Sequence, residues 1–571
     1  GSYAGAITNA GIFKYNSTND QTLSGVISGS GALTKDNTST LTMTGANTYS
    51  GATNINAGIL RADVADVAAT SGALGNGGDI TFTGGTLQYT ANSAGSDYST
   101  RIKSSTSAMT FDTNGQNVTF ATKFANTNTG GLTKLGAGEL SVVLDSSSYT
   151  GLTKVDGGTL VLGNNTVNNT NTSSSGFEIN NGSTLQFERG DLGILIGGKT
   201  FTFDSNGGGA LEVNGSALLW RDNTIVTNGG LQNTFSGTAG VNVQNNLNNA
   251  GTQARFMTFD VADGSDEVDL LVSTNVANAK LIKNGAGTVA LTSSANELTL
   301  ATQTVTINAG TLEIGGAGRL NVGNYSQAIT NDGTFKYNSS ADQTLSGVIS
   351  GSGALTQSGA GTLTLSGANT YTGATTVSAG ILLINNTTGS GTGTGAVTVA
   401  SGASLGGSGT ISGATTIQSG GFLAPGNSPG ILTFSGDLTL ASGSFTNMEI
   451  TGSTRGTDYD GIDVDGALTY GGTLTLTSNT LIGVGEYNLF DFTSESGDFS
   501  SIILSGTAYA NNTFTQDGDV WDAIVDNQTY TYSQVTGNLV VATAAVPEPE
   551  TFALLGGLLA LTYVLGRRRR R

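Results

Sequence analysis

The chain has 571 residues, with 87 Gly, 4 Pro, no Cys and no His, 37% hydrophobic residues, 11% charged residues and a formal net charge of −19. The missing Cys and His exclude a disulfide framework, thiolate chemistry, Ser-His-Asp catalysis, His-bearing zinc sites and a histidine pH switch. Five of the 22 basic residues are Arg567–Arg571, so residues 1–566 carry 17 basic against 41 acidic groups, a balance of −24 that repels nucleic-acid phosphates.

In chain order, residues 1–60 form a first module. Alternating runs such as Thr40-Leu41-Thr42-Met43 put apolar side chains on one face of a strand and threonines on the other. The chain opens Gly1-Ser2-Tyr3 with this module already under way, and a signal peptide is expected in the precursor. Residues 61–129 continue in strand pairs, Ile80–Thr83 and Thr86–Tyr89, separated by Asn-Gly and Gly-Gly steps. A second module lies near residues 130–160, and the Asn-rich Gly163–Ser175 reads as a loop or turn stack. Residues 205–277 are the least regular and hold Trp220 and Arg255. A third module lies near 280–312 and a fourth near 353–382.

Residues 1–60 and 323–382 align without a gap at an offset of 322, with about 42 of 60 positions identical. The equivalent leucines Leu33, Leu132, Leu281 and Leu355 are unevenly spaced. Dividing their three intervals by 4, 6 and 3 gives a common length of about 25 residues, the size of one coil of a solenoid. A unit this small cannot bury its apolar face alone, so the copies should stack into a parallel β-helix. Roughly 20 coils at about 4.8 Å would make a rod around 100 Å long. The helix is assigned to residues 1–440, with Pro425 and Pro429 fixing a turn between coils, and residues 441–545 are read as terminal coils and a cap.

The composition then breaks. Pro547-Glu548-Pro549 precedes an uncharged apolar span, residues 551–566, backed by Arg567, Arg568, Arg569, Arg570 and Arg571. The span predicts a single transmembrane helix with its arginines cytoplasmic and everything before Pro547 outside. The tail, residues 546–571, resembles a PEP-CTERM sorting signal. That resemblance implies export from a Gram-negative bacterium, recognition by an exosortase, cleavage near the motif, and association with extracellular polysaccharide at the cell surface or matrix. The modules resemble the autotransporter-associated β-strand repeat, as in GAGTLTLSGANTYTGATTVSAGIL (Gly359–Leu382), and Leu423–Gly430 is similar to passenger-domain sequence. These resemblances imply a right-handed parallel β-helix in an all-β fold.

Two acidic runs are candidate Ca²⁺ ligands, Asp260, Asp263, Asp266 and Asp269, and Asp458, Asp460, Asp463 and Asp465. Neither has EF-hand spacing, and solvated turn acids are the plainer reading; Asn76–Asp79 holds only a fragment of a Gly-rich Ca²⁺ repeat. Paired carboxylates with Arg255 nearby leave a polysaccharide lyase or hydrolase as an alternative, and an adhesin as another. Trp220, Trp521, Tyr49, Tyr149 and Tyr371 are candidates for sugar stacking, against a packing role in turns and core. The favoured expectation is a non-enzymatic surface scaffold with no cofactor.

Overall fold

The computed structural model describes residues 1–143, 149–163, 174–189, 195–215, 218–238, 242–244, 255–296, 298, 303–426 and 428–544. The sorting motif, apolar span and arginine tail lie outside these residues, as does most of the Asn-rich loop. Among the described residues no helix is long and apolar enough to cross a membrane. Helical turns there are limited to the short 3₁₀ segments Ser99–Arg101 and Asn321–Gly323. The chain forms two compact units, residues 1–405 with 409–415, and residues 406–408 with 416–571. The sequence-based boundary at 440 therefore falls within the second unit.

The first unit is a parallel β-solenoid. A full coil visits three faces in turn, as in Asn223–Thr227, Asn233–Gly237 and Asn242–Gln244. Each strand pairs in parallel with its counterpart one coil on, Thr224 with Thr258, Thr234 with Leu271, and Val243 with Val276. The first face is a sheet of sixteen described strands, from Ser2–Tyr3 to Ile349–Ser350. At about 4.8 Å between strands it extends about 70 Å. Inward positions of the alternating strands stack on their own kind. Leu41, Leu60 and Leu87 form one such column, and Phe177 stacks on Phe201 with ring centroids 4.6 Å apart. In Thr362–Leu365 the two leucines are buried and the two threonines half-buried, as the alternation predicts.

Coil length is not uniform. Asn233 pairs with Leu270, and Leu270 in turn with Val289, so one coil is nearly twice as long as the next. The register is carried by short strands, and loops between them vary freely because they lie outside the ladders.

The repeats also change face. The paired strands of copy one, Ala32–Lys35 and Thr40–Met43, lie on the third and first faces. Those of copies two and three (Leu132–Leu135 with Glu139–Val143, and Ala279–Asn284 with Thr288–Leu291) lie on the first and second. Those of copy four, Ala354–Gln357 and Thr362–Leu365, lie on the second and third. The intervals between the equivalent leucines therefore span four and a third, six, and three and a third coils. The expected coil length holds only as an average over the middle interval, where single coils run from 21 residues (Leu132 to Thr153) to 34 (Ile225 to Phe259), and coils are shorter on average in the other two. The unit is two strands and the corners beside them, and it fits any face whose corners it can make.

The second unit begins as parallel coils, with Phe422–Pro425, Phe445–Glu449, Thr473–Thr477 and Ser501–Ser505 in register. Pro425 closes the first of these strands, where a residue without an N–H is tolerated, and Gly430, just beyond, donates its N–H to Asp460 at 2.8 Å. The unit ends in a five-stranded antiparallel sheet, ordered Gly485–Asn488, Asn538–Thr543, Gln528–Ser533, Val520–Val525 and Thr515–Asp517. Trp521, Tyr530, Tyr532, Leu539 and Val541 are buried on one side of it. Trp521 Nε1 donates to Gln534 Oε1 at 2.6 Å, so this tryptophan is a core residue and not a free stacking platform.

Candidate functional site

The polar residues of the repeats point inward. Lys35, Lys134 and Lys283 stand two residues after the equivalent leucines, so each shares the buried face of its strand. Each ammonium donates to three main-chain carbonyls: Lys35 to Asp36, Asn37 and Ala57 at 2.8, 2.7 and 3.1 Å. Lys134 donates to Leu135, Gly136 and Gly157 at 3.1, 2.7 and 3.0 Å. Lys283 donates to Asn284, Gly285 and Ala309 at 2.6, 2.8 and 3.2 Å. Two of the three carbonyls belong to the lysine's own corner and the third to the next coil. Copy four carries Gln357 instead, whose Nε2 donates to Gly359 and Gly361 at 3.0 and 2.8 Å. Burial lowers the pKa of all three lysines, to about 8 for Lys134 and Lys283.

Tyr49, Tyr149 and Tyr371 are buried as well. Each hydroxyl meets the Thr hydroxyl four residues on, Thr53 at 2.8 Å, Thr153 at 2.7 Å and Thr375 at 2.6 Å. Burial pushes Tyr149 up to about 12 and raises the other two further. These tyrosines are closed inside the corners and cannot stack on a sugar. Tyr371→Phe should therefore leave any surface binding unchanged and lower stability by about 1 kcal/mol, the loss of one buried hydrogen bond, read by urea denaturation. Asn47 and Asn369 complete the corner: each side-chain oxygen accepts from a main-chain N–H at 2.7 Å, that of Ile27 and of Ile349.

The candidate Ca²⁺ ligands are spent separately. Asp269 is buried, and its carboxylate accepts from the Gly264 and Thr288 N–H groups, both at 2.7 Å. Asp266 accepts from Gln232 N at 2.6 Å, while Asp260 and Asp263 are exposed. In the second run Asp458 accepts from Thr454 N at 3.0 Å, which lowers its pKa, and Asp463 pairs with Arg455 at 2.7 Å. Asp460 is buried, accepts from Gly430 N and Glu449 N at 2.8 Å each, and is raised to about 6 by burial. Asp465 is exposed. Among the described residues no three acidic side chains are grouped to hold a metal ion. Asp266, Asp269, Asp458 and Asp460 hold main-chain N–H groups of turns and loops. Trp220 falls on the strand Leu218–Arg221 and Arg255 on Arg255–Val261.

One cavity does gather side chains with chemistry. Loops between Ala62 and Ile80 and between Thr90 and Ile102 enclose about 380 Å³, lined by Asp66, Asn76, Asp79, Asp97, Thr100, Arg101 and Lys103 with Gly75 and Gly77. Arg101 is fixed by main-chain carbonyls, with Nε 2.8 Å from Gly78 O, Nη2 2.5 Å from Leu74 O and Nη1 3.5 Å from Gly75 O. Lys103 pairs with Asp79 at 2.9 Å. Asp97 accepts from Ser99 N and Ala121 N at 2.8 and 3.0 Å. Asp66 donates its main-chain N–H to Ser96 Oγ at 2.9 Å, and its half-buried carboxyl is raised by burial, with Arg101 opposing. Of this pocket only Asn76–Asp79 has a sequence signal. The rest comes from loops of successive coils, one winding apart in the chain.

These corners have counterparts elsewhere. Residues 33–62, 132–162, 281–314 and 355–384 match the passenger-associated-transport repeat. The four passenger-type repeats coincide with the four modules read from the sequence. A stretch of 202 residues is 32% identical to the Adhesin BmaC autotransporter of Brucella suis biovar 1 (strain 1330), covering 34% of this chain and 6% of that protein. The chain thus spans a small part of that relative's length.

Proposed function

We propose that the chain is an exported, surface-displayed β-solenoid that acts as a structural scaffold and not as an enzyme. The observation that carries this reading is the set of four passenger-type repeats whose lysines, tyrosines and asparagines are consumed in holding corners together. An outward face of Thr and Ser with an acidic balance suits a hydrated matrix. In this reading the coil is right-handed, as strand–crossover–parallel strand connections almost always are.

The proposal includes the C-terminal tail. Pro547-Glu548-Pro549, the apolar span 551–566 and Arg567–Arg571 act as a PEP-CTERM-type address that anchors the chain transiently in the membrane of a Gram-negative cell. An exosortase-type enzyme cuts near the motif, and the released chain associates with extracellular polysaccharide. The similarity to a protein described as an adhesin supports a second reading, in which the solenoid displays a ligand-binding loop.

Protease treatment of intact producer cells should remove the chain, and C-terminal mass spectrometry of the surface fraction should show a mature end near residues 547–549. Recovery of intact Arg571 from the surface fraction would overturn the sorting step. Protection from protease in intact cells would overturn surface display.

A further inference from the structure

The cavity bounded by Asp66, Asp97 and Arg101 is a place where ligand chemistry is not already spent on the fold. Its lining holds no large apolar side chain, only Ala68 and Ala69, so it offers nothing to a hydrophobic ligand. Its volume of about 380 Å³ lies near the small end of the range for small-molecule sites, roughly 300–1,000 Å³. Lys103 is paired with Asp79, and the donors of Arg101 go to three carbonyl oxygens, so the guanidinium reaches Asp66 only through its charge and not by a hydrogen bond. Asp97 is held by two main-chain N–H groups. Asp66 differs: among the described residues no hydrogen bond reaches its carboxylate, which packs against the Gly72 backbone. Three carboxylates against two cations leave the cavity one negative charge in excess. The nearby Tyr89 hydroxyl, buried without a hydrogen-bond partner, feels the charges of Asp97 and Asp66 but makes no hydrogen bond to either carboxylate.

We propose that this cavity binds a small polyhydroxylated amine, the chemistry of an amino sugar with a free ammonium, through a salt bridge to Asp66. The ammonium supplies the hydrogen-bond donor that the carboxylate lacks and balances the excess negative charge of the cavity, and charge-assisted hydrogen bonds of this kind are the strong ones. Sugar hydroxyls meet the Asn76 amide, the Thr100 hydroxyl and the Gly75–Gly77 backbone on the cavity wall. An N-acetylated sugar has no cation and leaves Asp66 as it is.

Ligand-observed saturation-transfer NMR on the full chain tests this with glucosamine, N-acetylglucosamine and glucose. Glucosamine should bind at least fivefold more tightly than the other two. Asp66→Asn should remove that preference while the melting temperature stays within the scatter of the wild type, because Asp66 lies on a loop. Asp517→Asn, an exposed acid far along the chain, controls for general attraction of amines to an acidic protein and should leave binding unchanged. Equal signals from glucosamine and N-acetylglucosamine, undiminished binding by Asp66→Asn, equal losses from both variants, or no signal from any sugar would each overturn the proposal. A chain absent from the cell surface would count against the scaffold reading and leave this result untouched.

Discussion

Gly380→Ala will destabilise the first unit by about 3 kcal/mol or more, while Gly95→Ala will change stability by no more than about 0.5 kcal/mol. Gly380 has φ +62°, and a Cβ there would sit 2.2 Å from the Gly359 carbonyl oxygen of the preceding coil. Left-handed backbone costs an alanine about 1–2 kcal/mol, and relieving the overlap against a rigid main chain adds about 1–3 kcal/mol. Its counterparts Gly58, Gly158 and Gly310 have φ of +66°, +62° and +64°. Their Cβ atoms would meet backbone oxygens at 2.3, 2.2 and 2.4 Å. Gly95 has open space around it and no such φ. Urea unfolding with hydrogen exchange at the corner separates the two variants, and equal stability of both would show that the close approach is not what the glycine is for.

The second expected result concerns the buried lysines. Lys283→Met should cost about 2–4 kcal/mol at pH 7, and Lys283→Gln much less. Methionine leaves the Asn284, Gly285 and Ala309 carbonyls without a donor, at about 1–3 kcal/mol each, offset in part by the desolvation of the ammonium that is no longer incurred. Glutamine keeps two donors, the arrangement already present at Gln357.

The same lysines set a pH dependence. Lys134 and Lys283 have pKa values of about 8 in the folded chain against 10.5 unfolded, so between those values the folded chain binds fewer protons and stability rises with pH. Each contributes at most about 3 kcal/mol by pH 10.5. Buried tyrosines act in the opposite direction. Tyr149, raised from 10.0 to about 12, stays protonated while its unfolded counterpart ionises, so stability falls above pH 10. Melting temperature should therefore climb from pH 7 to about 9.5 and then drop, and Lys283→Gln should flatten the climb. A melting temperature that falls from pH 7 to 9.5 would show that the three carbonyls hold the ammonium more strongly than burial disfavours it.

Strands, repeats and the inward leucines were legible because alternation and self-similarity are local properties of the chain. The lysines were legible too, had the alternation been applied to them: Leu33 and Lys35 are two residues apart and must share a face. They escape a reading by residue type because lysine is ordinarily a surface side chain. The antiparallel end of the second unit had a comparable signal in Asp526-Asn527, a two-residue connection with φ of 49° and 61° between Val520–Val525 and Gln528–Ser533. Alternation alone cannot tell a parallel strand from an antiparallel one. The cavity around Asp66 had almost no signal, since its walls come from separate loops whose juxtaposition depends on coil lengths that the sequence does not announce.

The change of face between repeats bears on how such a chain lengthens over generations. If the inherited unit were a whole turn, duplications would be confined to whole turns, and every copy would report to the same side. Here the unit is a pair of strands with its corners, so a gene can acquire it at any of three points in the winding without disturbing what is already wound. Successive acquisitions then aim their variable loops in different directions. A lineage can thereby move a new loop around the circumference by duplication alone, before a single residue within that loop has changed.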